Sequence, residues 1–180
     1  MRITDNYIFF WKENPFCNFT KCKIKYVLPD STKGEEIYFT SSEQMFMWFK
    51  AKQFMDEESA EKILAAKTPE EARQLGRGVK GYVELVWNDE RYHAMHKAVM
   101  AKFIQNKDLR DKLCDPKYDG KKFVEASPYD RIWGIGYGEE FALKLDNAKN
   151  WGNNLLGKVL DETRAWCLEY REMLDKNNIE

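Results

Sequence analysis

Hydrophobic and polar residues alternate in short runs over the first forty positions, then change to a helical rhythm at Ser41. Tyr7–Trp11, Ile24–Leu28 and Glu36–Phe39 read as short strands, parted by turn-rich loops at Asn14-Pro15 and Pro29–Gly34. Ser41 precedes Gln44 by three positions, the spacing of a capping box, and the apolar run Met45–Phe49 follows. Further helices are expected at Glu57–Ala66 and at Pro69–Leu75, the second with proline early in its first turn. Tyr82–Val86 is strand-like. Over Glu90–Asn106, the residues Tyr92, Met95, Val99 and Phe103 share one face of an amphipathic helix. A shorter helix follows at Leu109–Cys114, and strand-like pieces at Lys122–Ala126 and Ile132–Ile135 flank Pro128. Asn153 or Asn154 is placed to cap a long final helix whose buried side carries Leu155, Val159, Trp166 and Tyr170. Neither a repeat nor a linker divides the chain. The expected class is α+β, predominantly helical with a small β-sheet, as one domain over residues 1–180.

The helix after Ser41 is apolar nearly all round, because Met45, Phe46, Met47, Trp48 and Phe49 are consecutive, and such a helix belongs in a core. Glu43 and Lys50 nevertheless lie in it, seven positions apart and so on almost the same face. A charge on a buried helix needs a partner or a wet cavity, since stranding it costs on the order of several kcal/mol. Two readings stay open: both side chains snorkel to the surface at the helix ends, or they line a cleft.

Composition narrows the class. The 43% hydrophobic and 14% aromatic content is too high for a disordered chain, and 180 residues can bury a sizeable core. Lysine and arginine number 29 against 30 acidic residues, so the net charge of −1 gives no general attraction to nucleic acid or anionic lipid. No apolar run approaches the roughly 18 residues of a membrane span. Cys17, Cys22, Cys114 and Cys167 form no CxxC pair and no signal peptide is evident, so a cytoplasmic protein with reduced thiols is expected.

Candidate chemistry is densest at residues 123–138. Glu125, Asp130 and Arg131 sit there among Tyr129, Trp133 and Tyr137, with Gly134, Gly136 and Gly138 alternating through the second half. Carboxylates serve proton transfer or cation stabilisation, aromatic rings stack on planar bases, and glycines allow close backbone approach. The segment therefore reads as one wall of a ligand site. The glycine spacing is not that of a dinucleotide fingerprint. Arg77 and Lys80, in Gly-Arg-Gly-Val-Lys-Gly, suggest either a phosphate-gripping loop or a solvated turn. Trp87 reads as core or as a stacking ring. His93 and His96 lack the further ligands of a metal site, and no metal is expected.

In order and spacing, several segments resemble the NADAR proteins, also called YbiA-like N-glycosidases. They comprise Asn18-Phe19, then Ser41-Ser42-Glu43-Gln44 leading to Phe46-Met47-Trp48-Phe49-Lys50-Ala51-Lys52, Gly76-Arg77 with Val79-Lys80-Gly81, and Trp87. Ala101-Lys102-Phe103, Gln105-Asn106 and Leu109 continue the match. The most specific part is Val124-Glu125-Ala126-Ser127-Pro128 with Asp130-Arg131-Ile132-Trp133-Gly134-Ile135-Gly136, closed by Gly152-Asn153-Asn154-Leu155-Leu156-Gly157 and Arg164. Two departures are visible: Gln44, where many relatives have histidine, and Cys114–Lys121, where relatives often have a Leu-x-x-Thr-Gly turn. Both bear on substrate choice more than on the core reaction.

The resemblance implies a YbiA-like fold and hydrolysis of the N-glycosidic bond between ribose and a nitrogenous base. Bacterial relatives are associated with early ribosylamino-pyrimidine intermediates of the riboflavin pathway, and other relatives remove ADP-ribose from guanine in nucleic acid. A non-catalytic module that binds ADP-ribose or NAD is the alternative from a different class. Glu43, Lys50 and Asp130 are the expected catalytic residues. Trp87, Trp133, Asn18, Arg77, Lys80, Arg131 and Glu125 are expected to contact substrate. Glu43 is assigned to stabilising the sugar cation or activating water, and Asp130 to proton transfer or holding sugar hydroxyls, with the two roles exchangeable. Lys50 either keeps Glu43 ionised or attacks the anomeric carbon to form an imine. No cofactor and no membrane partner enter this scheme, and nucleic acid is the alternative substrate.

Overall fold

The computed structural model describes residues 1–29, 34–144 and 147–177. In chain order the elements are β1 (Arg2–Ile3), β2 (Tyr7–Phe10), β3 (Ile24–Val27), β4 (Glu36–Phe39), α1 (Ser42–Gln53), α2 (Glu57–Ala65), α3 (Pro69–Arg77), α4 (Glu84–Gln105), α5 (Lys107–Leu113), β5 (Lys122–Glu125), α6 (Glu139–Ala142), α7 (Leu155–Glu169) and α8 (Arg171–Asn177). Short 3-10 turns lie at Pro116–Tyr118 and Asn147–Asn150. The class is α+β with helices dominant. Its strands form two small sheets, one of three strands and one of two. Four positions of the loop expected at Pro29–Gly34, residues 30–33, lie outside the described residues. None of the described helices is long and apolar enough to cross a membrane.

The chain divides into two compact units, residues 18–106 and residues 1–17 with 107–180. In the first, α1 is the central element, packed against α2, α3, α4 and β4. Every residue from Ser42 to Trp48 is buried, as the unbroken apolar run requires. The helix starts where the sequence places it: Ser41 Oγ accepts from Gln44 N at 3.1 Å. Asp56 and Thr68 cap α2 and α3 in the same way, through Ser59 N and Glu71 N. The β3–β4 hairpin is antiparallel, with Ile24 and Phe39 paired and buried.

In the second unit, β1 pairs antiparallel and β5 pairs parallel with the central β2, in the register Phe10↔Glu125. A core of Phe9, Val124, Ala126, Ile135 and Ala142 lies beneath Tyr7, Tyr137 and Trp151. Beside it, Phe16 meets Phe10, Tyr118 and Phe123 edge-on at 4.8–5.8 Å between ring centroids.

Three expectations are corrected. Tyr82–Val86 is not a strand. Tyr82 and Val83 precede α4, which begins at Glu84, and Trp87 N already donates to Val83 O at 3.0 Å. The helix expected from Glu90 therefore starts six residues earlier. Nor is Ile132–Ile135 a strand, because its backbone is used at the start of α7. Asn153 N donates to Arg131 O, Asn154 N to Gly134 O, Leu155 N to Ile132 O and Leu156 N to Trp133 O, at 2.7–3.2 Å. These bonds satisfy amides that a helix N-terminus otherwise leaves open. Finally, the buried face of α7 carries Leu156, Val159, Leu160, Thr163 and Cys167, whereas Tyr170 is exposed.

Candidate active site

Glu43 occupies the first turn of α1, where a carboxylate opposes the positive end of the helix dipole. It is only 6% exposed, so it does not snorkel. Its position is set by Asn18: the Asn18 carbonyl accepts from Glu43 N at 3.1 Å and from Ser42 Oγ at 3.2 Å. The Asn18 side chain is engaged as well, with Oδ1 accepting from Ser42 Oγ at 3.1 Å and Nδ2 against Met95 Sδ at 3.1 Å. Asn18 thus acts here as the anchor of the α1 N-terminus.

Lys50, two turns along the same helix, is half-buried. Its Nζ donates to the Gly76 carbonyl at 2.8 Å and lies 4.4 Å from the centre of the Tyr82 ring. Burial pushes the Lys50 amine below the usual lysine range, because the charged form loses hydration. The carbonyl comes from the end of α3, which reaches α1 because Gly76 has no side chain.

Gln44, next to Glu43 in α1, is buried, and it completes the capping box in an altered form. Its Oε1 accepts from Thr40 N at 2.8 Å and from Thr40 Oγ1 at 3.1 Å, in place of the Ser41 amide. Its Nε2 donates to the carbonyls of Ile63, Leu64 and Ala66 at 2.9–3.2 Å, closing the C-terminus of α2. Gln44 is therefore a clamp between α1 and α2.

Of the other expected contacts in this unit, Trp87 is buried, its ring 5.2 Å from Phe46 and 6.5 Å from Phe54. Arg77 is exposed in the last turn of α3. Lys80 is held twice: its N donates to Asp56 Oδ2 and its Nζ to Glu58 Oε2, both at 2.7 Å. These bonds make the Arg77–Lys80 segment a pinned turn. Among the described residues, no group of three or more His, Cys, Asp or Glu side chains is arranged to hold a metal ion.

In the other unit, Asp130 Oδ1 accepts from Ile132 N and Trp133 N, each at 2.8 Å, so one oxygen shapes the loop that carries it. Trp133 is half-buried and Tyr129 exposed. Arg131 donates to the Asn150 carbonyl at 2.8 Å and lies 5.8 Å from the Tyr137 ring. Glu125 N donates to Asn154 Oδ1 at 3.0 Å and its carbonyl accepts from Ile135 N at 3.0 Å. A Cβ on Gly134 would stand 2.7 Å from that carbonyl, so this glycine serves loop closure. The sequence pattern does not connect Gly76 or Tyr82 with Lys50; an aromatic directly after Gly81, between two helical patterns, is the available signal.

The sequence profile of the NADAR domain matches residues 9–167. The chain is 39% identical over 163 residues to protein irg-1 of Caenorhabditis elegans, covering 85% of this chain and 76% of that one. It is 34% identical over 169 residues to N-glycosidase R617 of Acanthamoeba polyphaga mimivirus, covering 89% and 96%. Over 112 residues it is 35% identical to the riboflavin biosynthesis protein PYRR of Zea mays, covering 60% of this chain and 16% of that protein. The solution NMR structure of the E. coli protein YbiA superposes with a TM-score of 0.68 at 27% identity, covering 94% and 89%.

Proposed function

The chain belongs to the NADAR family, and from that premise we propose that it releases the base from a small ribosylated metabolite, first of all a ribosylamino-pyrimidine phosphate of early riboflavin synthesis. It is a hydrolase acting on N-glycosyl bonds, as its relatives named N-glycosidase are. The similarity to PYRR supports the choice of metabolite. What carries the chemistry is one observation: a nearly buried carboxylate, Glu43, on the same helix as a half-buried amine, Lys50, held at a backbone carbonyl.

The reaction breaks the bond from the anomeric carbon to the base nitrogen and forms a new carbon–oxygen bond to water, with the departing nitrogen taking a proton. Positive charge builds on the ribose ring as the base leaves, and a fixed carboxylate in a drier environment stabilises it strongly. Glu43 takes this role or draws the proton from the attacking water. Lys50 offers a second route: its neutral amine attacks the anomeric carbon and expels the base, which takes up a proton as the amine loses one. Cleavage of the ring carbon–oxygen bond then turns the ribosyl-lysine into an open-chain imine, which water hydrolyses to free ribose and lysine. The lowered proton affinity of Lys50 supports this route, since it enlarges the neutral fraction. For Asp130, the assignment to proton transfer or hydroxyl positioning rests on the resemblance alone.

A second reading, removal of ADP-ribose from guanine in nucleic acid, is favoured by Arg73 and Arg77, which are exposed at i and i+4 on α3. Incubation with both substrate classes, followed by mass analysis, separates the readings. Free base with ribose phosphate supports the first and unmodified guanine the second. Tight ADP-ribose binding without product supports the non-catalytic module.

A further inference from the structure

We propose that Tyr82 is a positioning residue for the Lys50 amine, holding it in the resting protein between its ring face and the Gly76 carbonyl. This rests on the reading that Lys50 takes part in the chemistry. Nζ stands 2.8 Å from the carbonyl oxygen and 4.4 Å from the ring centre, so two independent groups from the α3–α4 segment converge on one nitrogen. The carbonyl accepts a hydrogen bond from the amine in either protonation state. The ring face attracts the cation far more strongly than the neutral amine. Burial disfavours the cation and so works in the opposite direction, and a ring face at 4.4 Å opposes it.

Core packing does not account for the placement of Tyr82, which is 44% exposed. The loop that carries it is fixed at several points. Val79 is buried, and the Lys80 backbone is tied to Asp56. Gly81 takes φ +68, a conformation that favours glycine, and turns the chain back toward α1. The Tyr82 ring then meets Phe54, the C-cap of α1, edge-on at 5.5 Å. Ionisable groups on α1 and on the elements packed against it include Glu43 and Lys52 of α1, Glu57 of α2 bound to Lys52, Arg77 of α3 and Lys97 of α4, beside the Tyr82 phenol itself. Among the described residues, Tyr82 places a ring face on the amine.

The test compares Tyr82→Leu with Tyr82→Phe in the full chain without substrate. Lysines are labelled by reductive methylation with 13C-formaldehyde and titrated by NMR, with Lys50→Arg identifying the Lys50 signal. The expected result is a fall of about 0.5–1 pH unit in the Lys50 midpoint for Tyr82→Leu and none for Tyr82→Phe. In the kcat/KM profile, the acid limb should move down by the same amount in Tyr82→Leu alone. An unmoved Lys50 midpoint in Tyr82→Leu overturns the proposal. A moved midpoint with an unmoved pH profile upholds the hold on the amine and overturns the part given to Lys50 in the reaction.

Discussion

Gly76 of α3 lies against Met47 of α1 with no room for a side chain between them: a Cβ on Gly76 would stand 2.1 Å from Met47 Sδ and 3.1 Å from Met47 Cβ. Glycine near a helix end forgoes about 1 kcal/mol of helix propensity relative to alanine. Here it permits the approach that brings its own carbonyl to Lys50. Gly76→Ala should therefore destabilise the protein by about 1–3 kcal/mol despite the better helix former, and lower activity as the carbonyl shifts. Urea unfolding reads the first effect and turnover the second. An unchanged midpoint contradicts the close packing.

Gln44 uses both ends of its amide, accepting from Thr40 and donating to three carbonyls at the end of α2. Gln44→Glu keeps the acceptor and turns the donor into a second acceptor facing those carbonyls. A loss of about 1–3 kcal/mol is expected, measured by urea midpoint at neutral pH. A midpoint equal to that of the unmodified chain removes the clamp.

What the sequence made legible follows the range of the forces involved. The starts of α1, α2 and α3 were readable because Ser41, Asp56 and Thr68 cap amides only three residues on, and the burial of α1 followed from its apolar run. Ile132–Ile135 was misread because its carbonyls are taken by amides of residues 152–156, a pairing that no local pattern reports. Tyr82–Val86 has the composition of a strand, yet Leu85 and Val86 face outward in the first turn of α4. At the candidate site, Glu43 and Lys50 stand out as charges on an apolar helix. The partners of Lys50 did not, because Gly76 and Tyr82 reach it only through the packing of α3 and the following turn on α1.

Asn154 precedes α7 with φ +50, and its side chain bridges β5 by accepting from Glu125 N at 3.0 Å and donating to Phe123 O at 2.9 Å. Asparagine tolerates this left-handed conformation better than most residues. Asn154→Leu loses both bonds and adds backbone strain, so a destabilisation of about 2–4 kcal/mol is expected in thermal or urea melts. Asn154→Asp keeps the acceptor alone and should fall between. Equal stability of all three contradicts the bridge.

Glu58 is pulled from its ordinary 4.5 down to about 2 by hydrogen bonds from Lys62 and Lys80. A depressed carboxylate contributes stability in full above its unfolded value and loses it as pH falls toward the folded one. The window here is from about 4.5 down to about 2. Both lysines and Glu58 are exposed, so the contribution is small and weakens with salt. In an NMR titration, Lys80→Ala should raise the Glu58 midpoint toward 4.5. A Glu58 that already titrates there in the unmodified chain contradicts the pairing.

The central claim is that Glu43 acts on the scissile N-glycosidic bond. Its most direct measurement is single-turnover base release from a ribosylamino-pyrimidine phosphate by Glu43→Gln beside the unmodified chain, with melting temperature and ligand affinity determined on both. The account predicts a loss of about 100-fold or more in rate with folding and affinity nearly unchanged. Base release by Glu43→Gln at the unmodified rate would contradict it.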